Sequence, residues 1–295
     1  MFTCIMADLF QLFRSKQLKP VWEFHSEALI WRIIATPLNT IVGETRNQSA
    51  KTTSYFCVDA QTGRPLWMNR SFDELWWIGI ETVHENRLIL HGFTRPDMPE
   101  HRGIRIVDLA TGALVWMNND MAFWFVHEKN IYAYKYVFDK RIGYKFDIES
   151  GEILGEFVEN LDQLHELRRN VLQFENKIQE GLLYPEISSK SGDGSELERL
   201  IEKVTREHSV EGWTEYLLSR HILVVSYYQK ESSAASATFQ NILVVYDVRG
   251  KESVFHEIIA KGVQAPSSDT FFVKNDSIYF IKSQKTLSVL RPWGL

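Results

Sequence analysis

The sequence predicts an all-β fold: a single β-propeller of five blades, closed between its N- and C-termini, with one helical insertion. Three observations lead there. A ten-residue phrase, VDAQTGRPLW at Val58–Trp67, returns as VDLATGALVW at Val107–Trp116, keeping Val-Asp, Thr-Gly and the closing Trp. Around each copy the same order of apolar, β-prone segments returns. The unit so defined recurs every ~40–50 residues, the length of a four-stranded propeller blade.

The first strand of each unit reads ALIWRIIA, ELWWIGIETV, AFWFVHE, WTEYLLS and TFFVKN. The second runs from polar residues into a strand: LNTIVGETR, ENRLILHGF, EKNIYAYKY, SRHILVVSYY and NDSIYFIKS. The third leads into Asp-x-x-Thr-Gly. There Asp59 and Asp108 can accept hydrogen bonds from amides just ahead, and Gly63 and Gly112 supply the positive φ of a tight reversal. The fourth strand carries Trp67 or Trp116. A third copy, FDIESGEILG, keeps Asp147 and Gly151 but has lost the Trp, and a fourth, YDVRGKESVF, shifts its Gly by one. The units span roughly 28–67, 68–116, 117–157 and 212–257, with a fifth from 269 onward.

That fifth unit lacks a fourth strand. FRSKQLKPVW at Phe13–Trp22 aligns with VDAQTGRPLW through Pro20 and Trp22, so the N-terminal segment is expected to supply the missing strand and remove an exposed sheet edge. The whole chain, 1–295, is then one domain, and 158–211 is an irregular, helical insertion in it. Within the insertion, Ser195-x-x-Glu198 is a capping box, and Leu197, Leu200, Ile201 and Val204 form one apolar stripe. VLQFENKIQEGLLY is also readable as a decayed blade, which would make six.

The motifs Cys57-x-Asp59-x-x-x-Gly63-Arg64-x-x-Trp67 and Ile106-x-Asp108-x-x-x-Gly112-x-x-x-Trp116 resemble the repeat of quinoprotein-type (PQQ-like) β-propellers. The resemblance implies that Trp67 and Trp116 dock neighbouring blades. It does not extend to the cofactor. Quinone-dependent dehydrogenases of that type are much longer, are exported and carry adjacent cysteines, whereas this chain has only Cys4 and Cys57. The lipid-anchored assembly propellers of the class carry a lipobox, which is missing here. No cofactor is expected. The helical insertion and the late NILVVYDVRG also resemble an uncharacterised bacterial family of similar length.

Composition narrows the function classes. A net charge of −5 argues against a general nucleic-acid binder, which needs clustered Lys and Arg for phosphates. No stretch approaches ~18 uninterrupted apolar residues, so no membrane helix is expected. The N-terminus does not read as a signal peptide, and the expected location is the cytoplasm. Aromatic residues make up 13%, with nine Trp, which suits strand faces that stack on one another.

The chain has no phosphate loop, GxSxG elbow or HExxH motif. KSGDGSE reads as a linker, and RPDMPEHRG as a surface loop. His84, His91 and His101 fall in one unit, but period-two alternation points them different ways, so no metal site is expected. One constellation stands out: an acid four residues ahead of a Trp in three first strands, Glu27/Trp31, Asp73/Trp77 and Asp120/Trp124, with Asp269 before Phe271 as a looser fourth. Equivalent positions round a ring converge at one mouth of its channel. The expected function is therefore a non-catalytic binding propeller for a protein or a small polar ligand. The alternative is a glycoside hydrolase that uses two of these carboxylates as acid and nucleophile.

Overall fold

The computed structural model describes residues 17–94, 100–158, 161–178, 181–188, 194–206, 209–231 and 238–294. Cys4, the start of FRSKQLKPVW, residues 95–99 of RPDMPEHRG and the head of KSGDGSE lie outside the described residues. The chain is mostly β and divides into two compact units, Ser26–Glu180 and Met1–His25 with Gly181–Leu295. Its first strand, β1 (Trp22–His25), belongs to the second of these.

The Ser26–Glu180 unit contains three four-stranded antiparallel sheets, each an up-and-down meander in chain order. Sheet I is β2 (Leu29–Ala35), β3 (Thr40–Asn47), β4 (Thr52–Asp59) and β5 (Pro65–Arg70). Sheet II is β6 (Ile78–His84), β7 (Arg87–Phe93), β8 (His101–Asp108) and β9 (Leu114–Asn118). Sheet III is β10 (Ala122–His127), β11 (Asn130–Val137), β12 (Lys140–Asp147) and β13 (Ile153–Phe157). Val42, Cys57 and Trp67 of sheet I pack on Ile78, Leu88 and Leu90 of sheet II, and Ile89, Ile104 and Ile106 pack on Ile131, Tyr144 and Phe146 of sheet III. Burial pushes the Cys57 thiol up to about 11.

The repeated phrase has the local structure its residues require. Asp59 Oδ1 accepts from the amides of Gln61 (3.1 Å) and Thr62 (2.7 Å), and Gly63 turns the chain at φ 72°. Asp147 accepts likewise from the amides of Glu149 and Ser150, and Asp108 from that of Thr111, with Gly112 at φ 70° and Gly151 at φ 72°. The tryptophans join sheets: Trp67 Nε1 donates to Leu109 O and Trp116 Nε1 to Ile148 O, both at 2.8 Å. A Cβ on Gly112 would stand 2.7 Å from Trp67 Cδ2, and one on Gly151 2.7 Å from Trp116 Cδ2. Each glycine is thus required twice, by its own turn and by the indole of the preceding sheet.

Helix α1 (Leu161–Ile178) follows β13 and lays Leu164 and Val171 against Trp124, Phe125 and Tyr132 of sheet III. This corrects the decayed-blade reading of VLQFENKIQEGLLY: its first eight residues are the end of α1. Leu161, Leu164, Leu167 and Val171 recur at helical spacing, and that stripe outweighs the β-like stretch beside it.

In the other unit, β14 (Leu182–Leu183), β15 (Glu186–Ser188) and helix α2 (Glu196–Thr205) precede sheet IV: β16 (Val210–Ser219), β17 (Ile222–Lys230), β18 (Phe239–Asp247) and β19 (Glu252–Val263), with β15 added beside β16. Ser195 Oγ accepts from Glu198 N at 3.1 Å, as the capping box requires, and Leu197, Leu200, Ile201 and Val204 pack on Tyr227, Ile242 and Val244. Sheet V is β20 (Phe271–Lys274), β21 (Ser277–Lys282) and β22 (Thr286–Leu290), in the order β1-β22-β21-β20-β14. The expected fourth strand is β1, paired in register with β22 from Trp22↔Val289 to His25↔Thr286. Five sheets are present among the described residues.

Candidate functional site

The site is built on the meander of sheet II. In the β6–β7 ladder Ile80 faces Leu90 and Thr82 faces Ile89, so Glu81 is the extra residue of a β-bulge. In the β7–β8 ladder His91 faces Ile104 and Gly92 faces Arg102, which leaves Gly103, at φ 89°, as the extra residue of a second bulge. A bulge re-aims side chains that strict alternation would send to opposite faces. Here the bulge at Gly103 turns His101 of β8 to the face of His91 of β7, where Glu81 of β6, two residues on from Gly79, meets them. Gly79, opposite His91, leaves room for the ring: a Cβ there would lie 3.1 Å from His91 Nε2.

Glu81 Oε2 accepts from His101 Nδ1 at 2.9 Å. His91 Nδ1 is also 2.9 Å from that oxygen, but out of line for a hydrogen bond, and it has no hydrogen-bond partner among the described residues. The imidazoles stack with centroids 3.5 Å apart and planes 6° apart, and Phe93 meets both rings edge-on. His91 is only 6% exposed. Burial pushes the Glu81 carboxyl up, yet the two imidazoles beside it outweigh this and bring it down to about 2.

Three histidines, His84, His91 and His101, were expected to diverge. His84 does: its Nε2 lies 2.8 Å from Glu128 O, away from the cluster. His91 and His101 do not, and the period-two expectation is corrected for them. The second bulge shifts the register by one residue between their strands, and one residue is enough to change the face. Glu81 was not singled out, because nothing in the sequence marks a bulge at Glu81.

His101 also lines a cleft of about 310 Å³ between sheets II and III, with Arg102, Asp120, Tyr134, Lys135 and Tyr136 among its walls. Arg141 lies over the rings of Tyr134 and Tyr136 and donates to the Tyr136 hydroxyl at 2.6 Å. Burial holds the Tyr134 phenol above its ordinary range.

The four acids expected at a channel mouth have separate surroundings. Asp73 receives both Arg105 Nε (2.6 Å) and Nη2 (2.7 Å), and that hydrogen-bonded guanidinium holds its carboxyl below the usual range. Asp120 pairs with Arg102 at 3.2 Å on the cleft wall. Glu27 is exposed. Asp269 belongs to the other unit, where its amide and that of Thr270 donate to the buried Glu215. Two of the acids thus meet arginines of the same strand, β8.

Residues 35–116, from the end of β2 into β9, match the model of a family described as a domain of unknown function (DUF4905). A comparison with curated proteins gives no match. Among solved structures the chain is similar to a member of the duf4221 family from Bacteroides vulgatus atcc 8482, with 7% identity and a TM-score of 0.35 over 94% of this chain and 98% of that one. It is similar to tricorn protease at 12% identity and a TM-score of 0.30, over 85% of this chain and 29% of that one. The β-propeller domain of the Trilobed protease from Pyrococcus furiosus is similar at 10% identity and a TM-score of 0.28, over 91% of this chain and 70% of that one. The family matched is, like the uncharacterised family that the sequence resembles, one without an assigned function.

Proposed function

We propose that the five sheets are five blades of one propeller, and that it is a binding module which takes a small polar ligand in the cleft between sheets II and III. Kinship with the quinoprotein-type repeat is supported by the Trp67 and Trp116 latches, each closing on a glycine turn of the next sheet. The observation that carries the ligand reading is the cleft itself. At about 310 Å³ it is at the lower end of small-molecule sites, and its walls combine both signs of charge with two tyrosine rings. Tyr136, Lys135 and Arg102 can stack on or hydrogen-bond a ring-bearing polar ligand, and Asp120 can accept from its hydroxyl or amino groups.

A glycosidase needs one carboxyl held above its ordinary range, so that it can give up a proton. Asp73 is held below its range and Asp120 is paired with an arginine, so the binding reading is preferred. No described helix is long and apolar enough to cross a membrane.

Saturation-transfer NMR with a panel of monosaccharides, amino acids and small carboxylates tests the reading. At least one compound class should bind, and Tyr136→Ala with Lys135→Ala should abolish its signal while leaving the melting temperature unchanged. Binding that survives both substitutions, or no binding across the panel, overturns it.

A further inference from the structure

We propose that Glu81, His91 and His101 form a binding site for one divalent transition-metal ion, zinc being the ion whose chemistry fits best, with its open coordination positions toward the cleft. The donor atoms of the three side chains all lie within 4.8 Å of one another. Two imidazole nitrogens and one carboxylate oxygen are a borderline donor set that suits zinc and its first-row neighbours better than magnesium or calcium, which take oxygen ligands. Three protein ligands leave room for a fourth from solvent or a bound molecule, the pattern of zinc sites that act on a ligand rather than only hold a fold.

Two features separate this cluster from an ordinary hydrogen-bonded pair. The first is His91 Nδ1. It is buried, lies 2.9 Å from Glu81 Oε2 but out of line with it, and has no hydrogen bond among the described residues. A buried polar atom left so is destabilising, and an ion shared with Glu81 and His101 satisfies it. The second is the bulge at Gly103. It sets His101 opposite Phe93, on the face that His91 and Glu81 share, whereas regular pairing would place it opposite Thr94 on the other face.

The geometry also says how the site closes. Donors around a tetrahedral ion at about 2.0–2.2 Å sit roughly 3.3–3.6 Å apart, so the 2.9 Å separations must open by about half an ångström. An ion must lie near the plane of each ring it binds, and parallel stacked rings cannot share one. One ring has to tilt. His101 is the one free to do so: its side chain is 37% exposed on the cleft, whereas His91 is held between Phe93 and Gly79. The ion site stands whether or not the cleft takes an organic ligand. Where it does, the ion offers that ligand's oxygen or nitrogen a coordination position.

The test uses the full chain, dialysed against a chelator and titrated with zinc chloride and, separately, cobalt(II) chloride. We expect one equivalent of zinc with a raised melting temperature, and visible d–d bands from cobalt with the intensity of a four-coordinate site. Glu81→Gln and His101→Ala should each weaken zinc at least 100-fold, and His84→Ala should leave it unchanged. The cobalt spectrum of the unsubstituted protein decides the matter even if a variant fails to fold. Absence of a saturable four-coordinate cobalt spectrum, or stoichiometric zinc binding that survives both substitutions in folded protein, overturns the proposal. NMR binders lost with Tyr136→Ala while zinc still binds would separate the cleft reading from this one.

Discussion

Arg105 is 5% exposed, and its Nη1 has no hydrogen-bond partner among the described residues, so Asp73 provides most of what satisfies this buried guanidinium. Neutralising an acid that repelled its neighbours would stabilise the protein. Neutralising Asp73 instead strands a buried cation. Asp73→Asn is expected to cost about 2 kcal/mol in urea denaturation, below the 3–5 of a fully buried pair because Asp73 is 42% exposed. The sign of the pH dependence follows. The folded carboxyl is held below its unfolded value, so its contribution is complete above about pH 4–5 and is lost as pH falls through the lower, folded value. The substitution should therefore flatten the acid side of the stability profile and leave it parallel to the original at neutral pH. A neutral or stabilising effect would mean that Arg105 is satisfied without Asp73. The acid itself was legible four residues ahead of Trp77, but its partner was not, because no local pattern ties Asp73 to an arginine two strands further on.

Between residues and sheets stands the latch of turn and indole. Gly112→Ala is expected to destabilise by about 2 kcal/mol, since an L-residue at φ 70° costs ~1–2 kcal/mol before its Cβ meets Trp67. In a Trp67→Ala background the collision with the indole disappears, and the backbone cost remains with a looser contact to Arg70 Cγ at 3.1 Å. The double-mutant cycle should then show a coupling of about 1 kcal/mol, whereas strict additivity would mean that the indole and the turn do not brace each other. These elements were the most legible part of the chain, because Asp, Gly and Trp each have a local reason for their place. Helix α1 was less so. Its stripe of Leu161, Leu164, Leu167 and Val171 is as regular as that of α2, but the stretch VLQFENKIQEGLLY begins at Val171 and so leaves out three of those four residues. The bulges of sheet II were illegible for the opposite reason: alternation is the rule by which strands are read, and a bulge is a break in it. His91 and His101 were visible as residues and invisible as neighbours.

At the scale of the molecule, the strand order of sheet V is set by residues far apart in sequence. Trp22 and Phe24 are buried, and Glu23 takes a hydrogen bond from Ser288 Oγ at 2.7 Å. Removing residues 1–25 uncovers the full edge of β22, and an unprotected hydrophobic edge recruits other chains. Loss of soluble monomer on size-exclusion chromatography is expected, and it should be relieved by a β1 peptide supplied in trans. A truncated protein that stays monomeric and melts as before would show that β22 needs no cover. This pairing was foreseen from Pro20 and Trp22 together with the missing fourth strand, although the strand itself, Trp22–His25, starts where the segment Phe13–Trp22 ends.

The same pairing sets an order of events during folding. Sheets I, II and III are each drawn from a short, continuous run of chain, so their ladders close over small loops and can form as soon as that run is available. Sheet V cannot. Its first strand precedes its last by the greater part of the sequence, and the entropy of closing so long a loop is met only when β22 exists to receive it. During synthesis β1 must wait, with Trp22 and Phe24 uncovered, until Thr286–Leu290 has emerged. For that interval the nascent chain exposes the apolar face of β1, which a chaperone would recognise.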